Sequence, residues 1–284
     1  MKFMNLPDEY CTKKSRFAVL PIPYEKDPTY GAGAANGPKA IIDASHHLEY
    51  YDERLDAEPF TDGILTLQAL NILNKTPEEA MNLIAQEIVV LAKQQEFIIS
   101  LGGDHAVTIG IAKGLDLIDK DYGIIIFDAH SDLRFSWNNS QFNHACTARK
   151  VSQDHKTIVV GVRSMDVDDK DFIKESNNVK IIKSHENIKT KLEEELKRLP
   201  EKVYISIDID VIDHSLIRNT GTPEPGGLFW NEMIELLEIV FKQKKVISAD
   251  ITEFAPQGNL ENFRAEAYAL AKLAHTLFAL KKAF

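Results

Sequence analysis

The chain has 284 residues, 44% hydrophobic and 27% charged, which excludes intrinsic disorder, a collagen-like repeat or a coiled coil as a reading of the whole. With 33 lysines and arginines against 43 aspartates and glutamates, the formal charge is −10. That balance excludes a basic nucleic-acid-binding face and suits a cationic small molecule or a divalent metal. Two cysteines, Cys11 and Cys146, are too few for a disulfide framework, and no stretch approaches the ~18 uncharged apolar residues of a membrane span. The first residues hold no apolar run of signal-peptide length, so a cytoplasmic protein is expected.

In chain order, Phe17–Ile22 is a short apolar run that reads as a buried strand, ended by Pro23. A helix is expected from Thr76, with Thr76 as N-cap, Pro77 in the first turn and Glu79 completing a capping box. Ile84, Ile88 and Leu91 then fall on one face. Phe97–Leu101 reads as a strand broken by Gly102 and Gly103, followed by a helix to about Leu117. Gly123–Phe127, Thr157–Val160, Asn178–Ile182 and Val203–Ile207 are strand-like, and Lys189–Leu199 is helical. Glu232–Phe241 reads as a helix, Val246–Ala249 as a strand, and Ala265–Leu280 as a closing helix with Leu273, Leu277 and Leu280 facing the core. Strands apolar on both faces and separated by helices imply a mostly parallel sheet covered on both sides. With no linker or low-complexity tract, the expectation is one three-layer α/β/α domain over residues 1–284.

Three of these strands run into polar groups, at the end of the sheet where α/β proteins bind ligands. They are Leu101-Gly102-Gly103-Asp104-His105, Phe127-Asp128-Ala129-His130-Ser131-Asp132 and Ser206-Ile207-Asp208-Ile209-Asp210-Val211-Ile212-Asp213. Residues two apart in an extended chain share a side, so Asp128, His130 and Asp132 should converge, as should Asp208 and Asp210. Each such carboxylate, buried unpaired, would cost several kcal/mol, and bound cations are the natural compensation. Oxygen and imidazole donors without thiolate suit Mn²⁺ and its neighbours better than a structural zinc. Asp128, Asp132, Asp208 and Asp210 carry −4, the balance of two divalent ions. Such a pair acidifies a water into a nucleophile, so a hydrolase is expected. The composition leaves a phosphoester, an amide and a guanidinium open as the group attacked.

In order and spacing these stretches resemble the signatures of the ureohydrolases, the family of arginase, agmatinase, guanidinobutyrase and formimidoylglutamase. Thr220-Gly221-Thr222-Pro223-Glu224-Pro225-Gly226-Gly227-Leu228 is similar to the family's glycine- and proline-rich loop. Gly31-Ala32-Gly33, Gly37–Ile41 and Leu48–Asp52 are similar to its upstream segments, and the likeness runs from about residue 16 to 280. The resemblance implies an arginase-like fold and two Mn²⁺ per chain. One ion would take His105, Asp128, Asp132 and Asp208; the other would take Asp128, His130, Asp208 and Asp210, with Asp128 and Asp208 bridging. It further implies that Asp132 accepts a hydrogen bond from the attacking water, and that His144 passes a proton to the departing amine. Glu253, in Asp250–Pro256, would hold the guanidinium. Asp104 and Asp213 are expected to fix loops.

The chain departs from the family at Ala106, usually serine, at His214, usually proline, and at Arg218-Asn219, usually Pro-Gly. His214 and Arg218 are expected at the pocket rim. His46, His47, His155, His185, His214 and His275 are read as packing or surface residues, and Cys146 lacks the motifs of a thiol catalyst. Residues 135–140 resemble the shorter agmatinase loop rather than arginase's amino-acid-binding loop. Agmatine, cleaved to putrescine and urea in polyamine biosynthesis, is therefore the first expectation for the small cationic guanidinium substrate. Guanidinobutyrase, aminopropylagmatine ureohydrolase and arginase are the alternatives within the family. Outside it stand a zinc deacetylase-like enzyme and a catalytically silent metal-binding regulator. The resemblance also implies a homo-oligomer, a trimer or hexamer.

Overall fold

The computed structural model describes residues 2–284. Strand β1 (Phe17–Ile22) is buried at every position, as a strand covered on both faces must be. After it come α1 (Gly37–Ser45), β2 (Ile64–Thr66), α2 (Pro77–Ala92), β3 (Phe97–Gly102), α3 (Val107–Asp116), β4 (Gly123–Phe127) and α4 (Thr147–Val151). The second half adds β5 (Thr157–Val162), α5 (Val167–Glu175), β6 (Val179–Lys183), α6 (Ile188–Leu196), β7 (Lys202–Asp208), α7 (Trp230–Gln243), β8 (Lys245–Thr252) and α8 (Leu260–Ala283). The strands form one 8-stranded sheet in the order β2-β1-β3-β8-β7-β4-β5-β6. Every pairing in it is parallel.

Alternation along the strands divides the interior into two cores. Phe17, Val19, Ile125 and Phe127 pack with α1, α7 and α8 on one face, while Ala18, Leu20, Ile124 and Ile126 pack with α2 and α3 on the other. The result is the three-layer α/β/α architecture. Leu273, Leu277 and Leu280 are fully buried, as their spacing predicts. Among the described residues no helix is long and apolar enough to cross a membrane.

Local signals explain several boundaries. Thr76 Oγ1 accepts from the Glu79 N–H at 3.3 Å while Glu79 Oε2 accepts from the Thr76 N–H at 2.9 Å, closing the capping box of α2. Such a cap contributes about 1 kcal/mol. The sequence reading omits α1, β2, α4 and α5, all nine residues or fewer. For α5 a signal existed, since Asp166 and Asp169 form its capping box. At the end of β3 the backbone runs so close to Tyr24 that a Cβ on Gly103 would collide with the Tyr24 carbonyl.

At the opposite, amino-terminal end of the sheet, His155 joins the segments entering β4 and β5. Its Nδ1 lies 3.1 Å from the Tyr122 carbonyl and its Nε2 lies 2.8 Å from Asp116 Oδ1, with the ring stacked on Tyr122. Both partners only accept, so both nitrogens must donate and the ring is an imidazolium. Burial lowers its pKa, but the Asp116 hydrogen bond and charge outweigh burial and raise it. A raised pKa means stabilisation fully present below the unfolded value near 6.5 and lost as pH rises through the folded one. His155→Gln should therefore cost about 1–3 kcal/mol in slightly acidic solution. The deficit should shrink as pH is raised through and beyond neutrality. Thermal melts over that range provide the check, and a deficit independent of pH would contradict the imidazolium.

Candidate active site

The carboxyl ends of β3, β8, β7 and β4 are neighbours in the middle of the sheet, and the polar groups predicted from sequence emerge there. Beyond β3, Asp104 folds its own loop: Oδ2 accepts from the Lys26 N–H at 2.7 Å and Oδ1 from the Ala106 N–H at 3.0 Å. His105 is thereby held fully buried over the strand ends. Its Nδ1 faces Asp132 at 3.0 Å, Asp128 at 3.2 Å and Asp208 at 3.4 Å. On the other side Nε2–H donates to Ser206 Oγ at 3.0 Å, and that hydroxyl donates to Asp250 Oδ1 at 2.9 Å. This chain turns Nδ1 toward the carboxylates. Burial lowers the ring's pKa, but the bonds to Asp128 and Asp132 raise it well above its ordinary value, and a bound cation would take the place of that proton.

A second group forms around His130. Its Nδ1 lies 2.8 Å from Asp210 Oδ2 and 3.8 Å from Asp128 Oδ1. Two sets of potential ligand atoms result, each set within 4.8 Å: His105, Asp128 and Asp132, and Asp128, His130 and Asp210. Asp128 belongs to both. Asp208 falls in neither set, yet it lies against His105, so all six residues expected as ligands occupy one cluster.

The route to convergence differs in part from the expected one. His130 bridges to Ser164 as an extended residue, but Asp132 takes a left-handed φ of 48° that turns it back onto His105. Asp208 and Asp210 do not meet by strand alternation. The chain turns at once into a short 3₁₀ segment, Ile209–Val211, capped by Asp208 Oδ1 on the Asp210 N–H at 3.0 Å. Asp213 fixes the glycine-rich loop as expected, accepting from the Gly226 and Gly227 N–H groups at 3.0 Å each.

The charges are crowded. Burial, then the charges of Asp132 and Asp210, push the Asp128 carboxyl up to about 7, and burial with Asp210 and Asp128 raises Asp208 well above the carboxylate range. Burial would lower His130, but its bond and attraction to Asp210 lift it to about 10. Asp210 is held low by His130 in spite of burial. Asp128 Oδ2 is buried without a hydrogen-bond partner among the described residues. An orphaned carboxylate oxygen beside an imidazole nitrogen and further carboxylates is a donor set that fits divalent cations, with no thiolate present.

Glu253 follows β8 with a left-handed φ of 67°, a conformation uncommon outside glycine. Its Oε1 accepts from the His105 N–H at 2.7 Å, and its pKa is raised well above the usual range by burial and by Asp104. His144 begins a short 3₁₀ turn capped by Asn143. Its ring touches Thr29 Oγ1 through Nε2 at 2.8 Å, and burial lowers its pKa. Asp132, Asp208, Asp210, His130, His144 and Glu253 all line one cavity of about 400 Å³, together with Asp166 and Asp169. His214 and Arg218 are exposed and lie outside its walls, so the expected rim role is not found. Sequence reasoning missed Thr29, Asp166 and Asp169 as cavity residues; only the two aspartates carried a signal, the α5 capping box.

The Arginase family pattern matches residues 15–279. The chain is 33% identical over 268 residues to N(1)-aminopropylagmatine ureohydrolase of Thermus thermophilus, covering 93% of this chain and 90% of that one. It is 35% identical to agmatinase of Pyrococcus horikoshii, covering 85% and 84% respectively. Agmatine ureohydrolase of Thermoplasma volcanium superposes with a TM-score of 0.85 at 27% identity, over 95% of this chain and 91% of that structure. Set on this sheet and this cluster of acids and imidazoles, a match of such extent places the chain in the arginase family, as a ureohydrolase that cleaves a C–N bond of a guanidino compound.

Proposed function

We propose that the chain releases urea from a linear guanidinium compound with a cationic tail, N(1)-aminopropylagmatine ahead of agmatine. Two Mn²⁺ would be held by His105, Asp128, Asp132 and Asp208, and by Asp128, His130, Asp208 and Asp210; when bound, such ions supply an activated water. Glu253 binds the guanidinium. Its Oε1 already accepts from His105, and beside Oε2 the bare Gly221 leaves room for N–H donors. His144 carries the proton to the departing amine, for which a half-buried imidazole of lowered pKa is suited.

The observation that carries the tail assignment is that acids line the cavity well beyond Glu253. Glu253 ends β8, and Asp166 and Asp169 follow β5, three positions along the sheet. At about 4.8 Å per strand this separates their strands by about 14 Å. From bond lengths near 1.5 Å, agmatine spans about 7–8 Å from guanidinium carbon to amine, and its aminopropyl derivative about 12–13 Å. A tail longer than agmatine's is favoured for reaching from the end of β8 toward the acids that follow β5. Arg134 pairs with Asp166 at 3.0 Å and stacks on Trp137, which leaves Asp169 as the acid for a tail amine and, among the described residues of the cavity wall, no free cation for arginine's carboxylate. Relatives of both names support an amine tail, which moves the aminopropyl compound ahead of the agmatine that the loop resemblance favoured.

The test compares N(1)-aminopropylagmatine, agmatine, 4-guanidinobutyrate and arginine by kcat/KM for urea release. The two amines should exceed the two acids by about tenfold or more, because burying a carboxylate among carboxylates costs several kcal/mol. A preference for arginine would overturn the assignment of the tail while leaving Glu253 and the metal residues in place.

A further inference from the structure

The loop joining β1 to α1 brings Thr29 against His144, 115 residues later in the chain. The contact, 2.8 Å from Thr29 Oγ1 to His144 Nε2, is the ring's one hydrogen bond among the described residues. The loop is anchored. Glu25 Oε1 accepts from the Gly33 N–H at 2.7 Å, and the Gly31 N–H donates to the Gly221 carbonyl at 2.9 Å. Thr29 is exposed and His144 half-buried, and both line the cavity.

The chemistry of the partner matters. His155 is gripped by two obligate acceptors, which lock it as a cation. A hydroxyl instead donates to a bare imidazole nitrogen and accepts from a protonated one, so it holds the ring in either charge state. A group that gains and loses a proton in each cycle needs such a partner, because a carboxylate would trap the charged form. We propose that Thr29 is a positioning residue for His144, keeping the imidazole aimed across the cavity in both of its protonation states. The inference rests on the reading of His144 as proton carrier.

Thr29→Val keeps the shape and removes the hydroxyl. In the Mn²⁺-loaded protein, urea release from agmatine and from N(1)-aminopropylagmatine should fall roughly 10- to 100-fold in kcat, the scale of a misaimed catalytic group. KM and metal content should stay within about twofold, because neither the guanidinium partner nor the ligand cluster is touched. Thr29→Ser should restore most of the rate, and adding Thr29→Val to His144→Ala should cost nothing further. The proposal fails if Thr29→Val keeps kcat within twofold of the parent, if KM or metal content falls in step with kcat, or if the loss is as large in the His144→Ala background. Full activity in His144→Ala alone would instead remove the reading of His144, and this inference with it.

Discussion

Asp128→Asn is expected to deplete both metal positions at once and to lower urea release by more than about 100-fold, beyond the 10- to 100-fold typical of losing an outer partner of a ligand. Asp128 is the one residue common to both groups of ligand atoms. Its Oδ1 accepts the His130 N–H at 2.6 Å, so Oδ2, buried and without a hydrogen bond, is the oxygen left over. Asparagine keeps the size and removes the charge. Elemental analysis should fall from two divalent ions per chain to fewer than one. Chelation should inactivate the parent, and Mn²⁺ should restore the parent but not the variant. The metal-free variant should melt no lower than the metal-free parent, because a carboxyl pushed up to about 7 by burial and like charges is a liability without cations. A single tightly held ion with full activity would contradict the paired centre.

His144→Ala should separate chemistry from metal binding. The ring belongs to neither ligand group, so both ions and the melting temperature should be retained. The loss should appear in kcat, by about 10²- to 10⁴-fold, the range for a positioned acid or base. KM should change little, since Glu253 and the tail acids are untouched. An unaltered kcat with metals in place would make His144 a bystander.

Much of this was legible in the sequence because the informative residues are local. The central strands are unbroken apolar runs, and a run buried on both faces announces itself without its neighbours. The α2 capping box is four consecutive residues, Thr76 to Glu79. The candidate ligands follow strand ends directly, so their types and spacing survive in one dimension. Convergence was foreseen, but its cause at Asp208 and Asp210 was not, because a 3₁₀ turn and an extended strand look alike across two residues. Short elements such as β2, three residues long, carry too little pattern to stand out. Contacts such as Thr29 with His144, or Ser206 with Asp250, are set by sheet order, which no local pattern encodes. The cavity's length was hidden for the same reason, as it depends on how many strands separate β8 from β5.

That sheet order has a consequence for how the molecule comes into being. Strand β8, the last of the sheet to leave the ribosome, inserts between β3 and β7 and pairs with both. Before residues 245–252 arrive, the growing chain can form β2-β1-β3 and β7-β4-β5-β6 only as two separate ribbons, each with an unpaired inner edge. His105 would sit on one ribbon, and the four aspartates and one histidine that complete its cluster on the other. The paired centre is thus the product of a closing step late in synthesis: a nascent chain stalled before β8 would carry every candidate ligand, yet only the Asp128, His130 and Asp210 half of the site could assemble, with His105 left on the other ribbon.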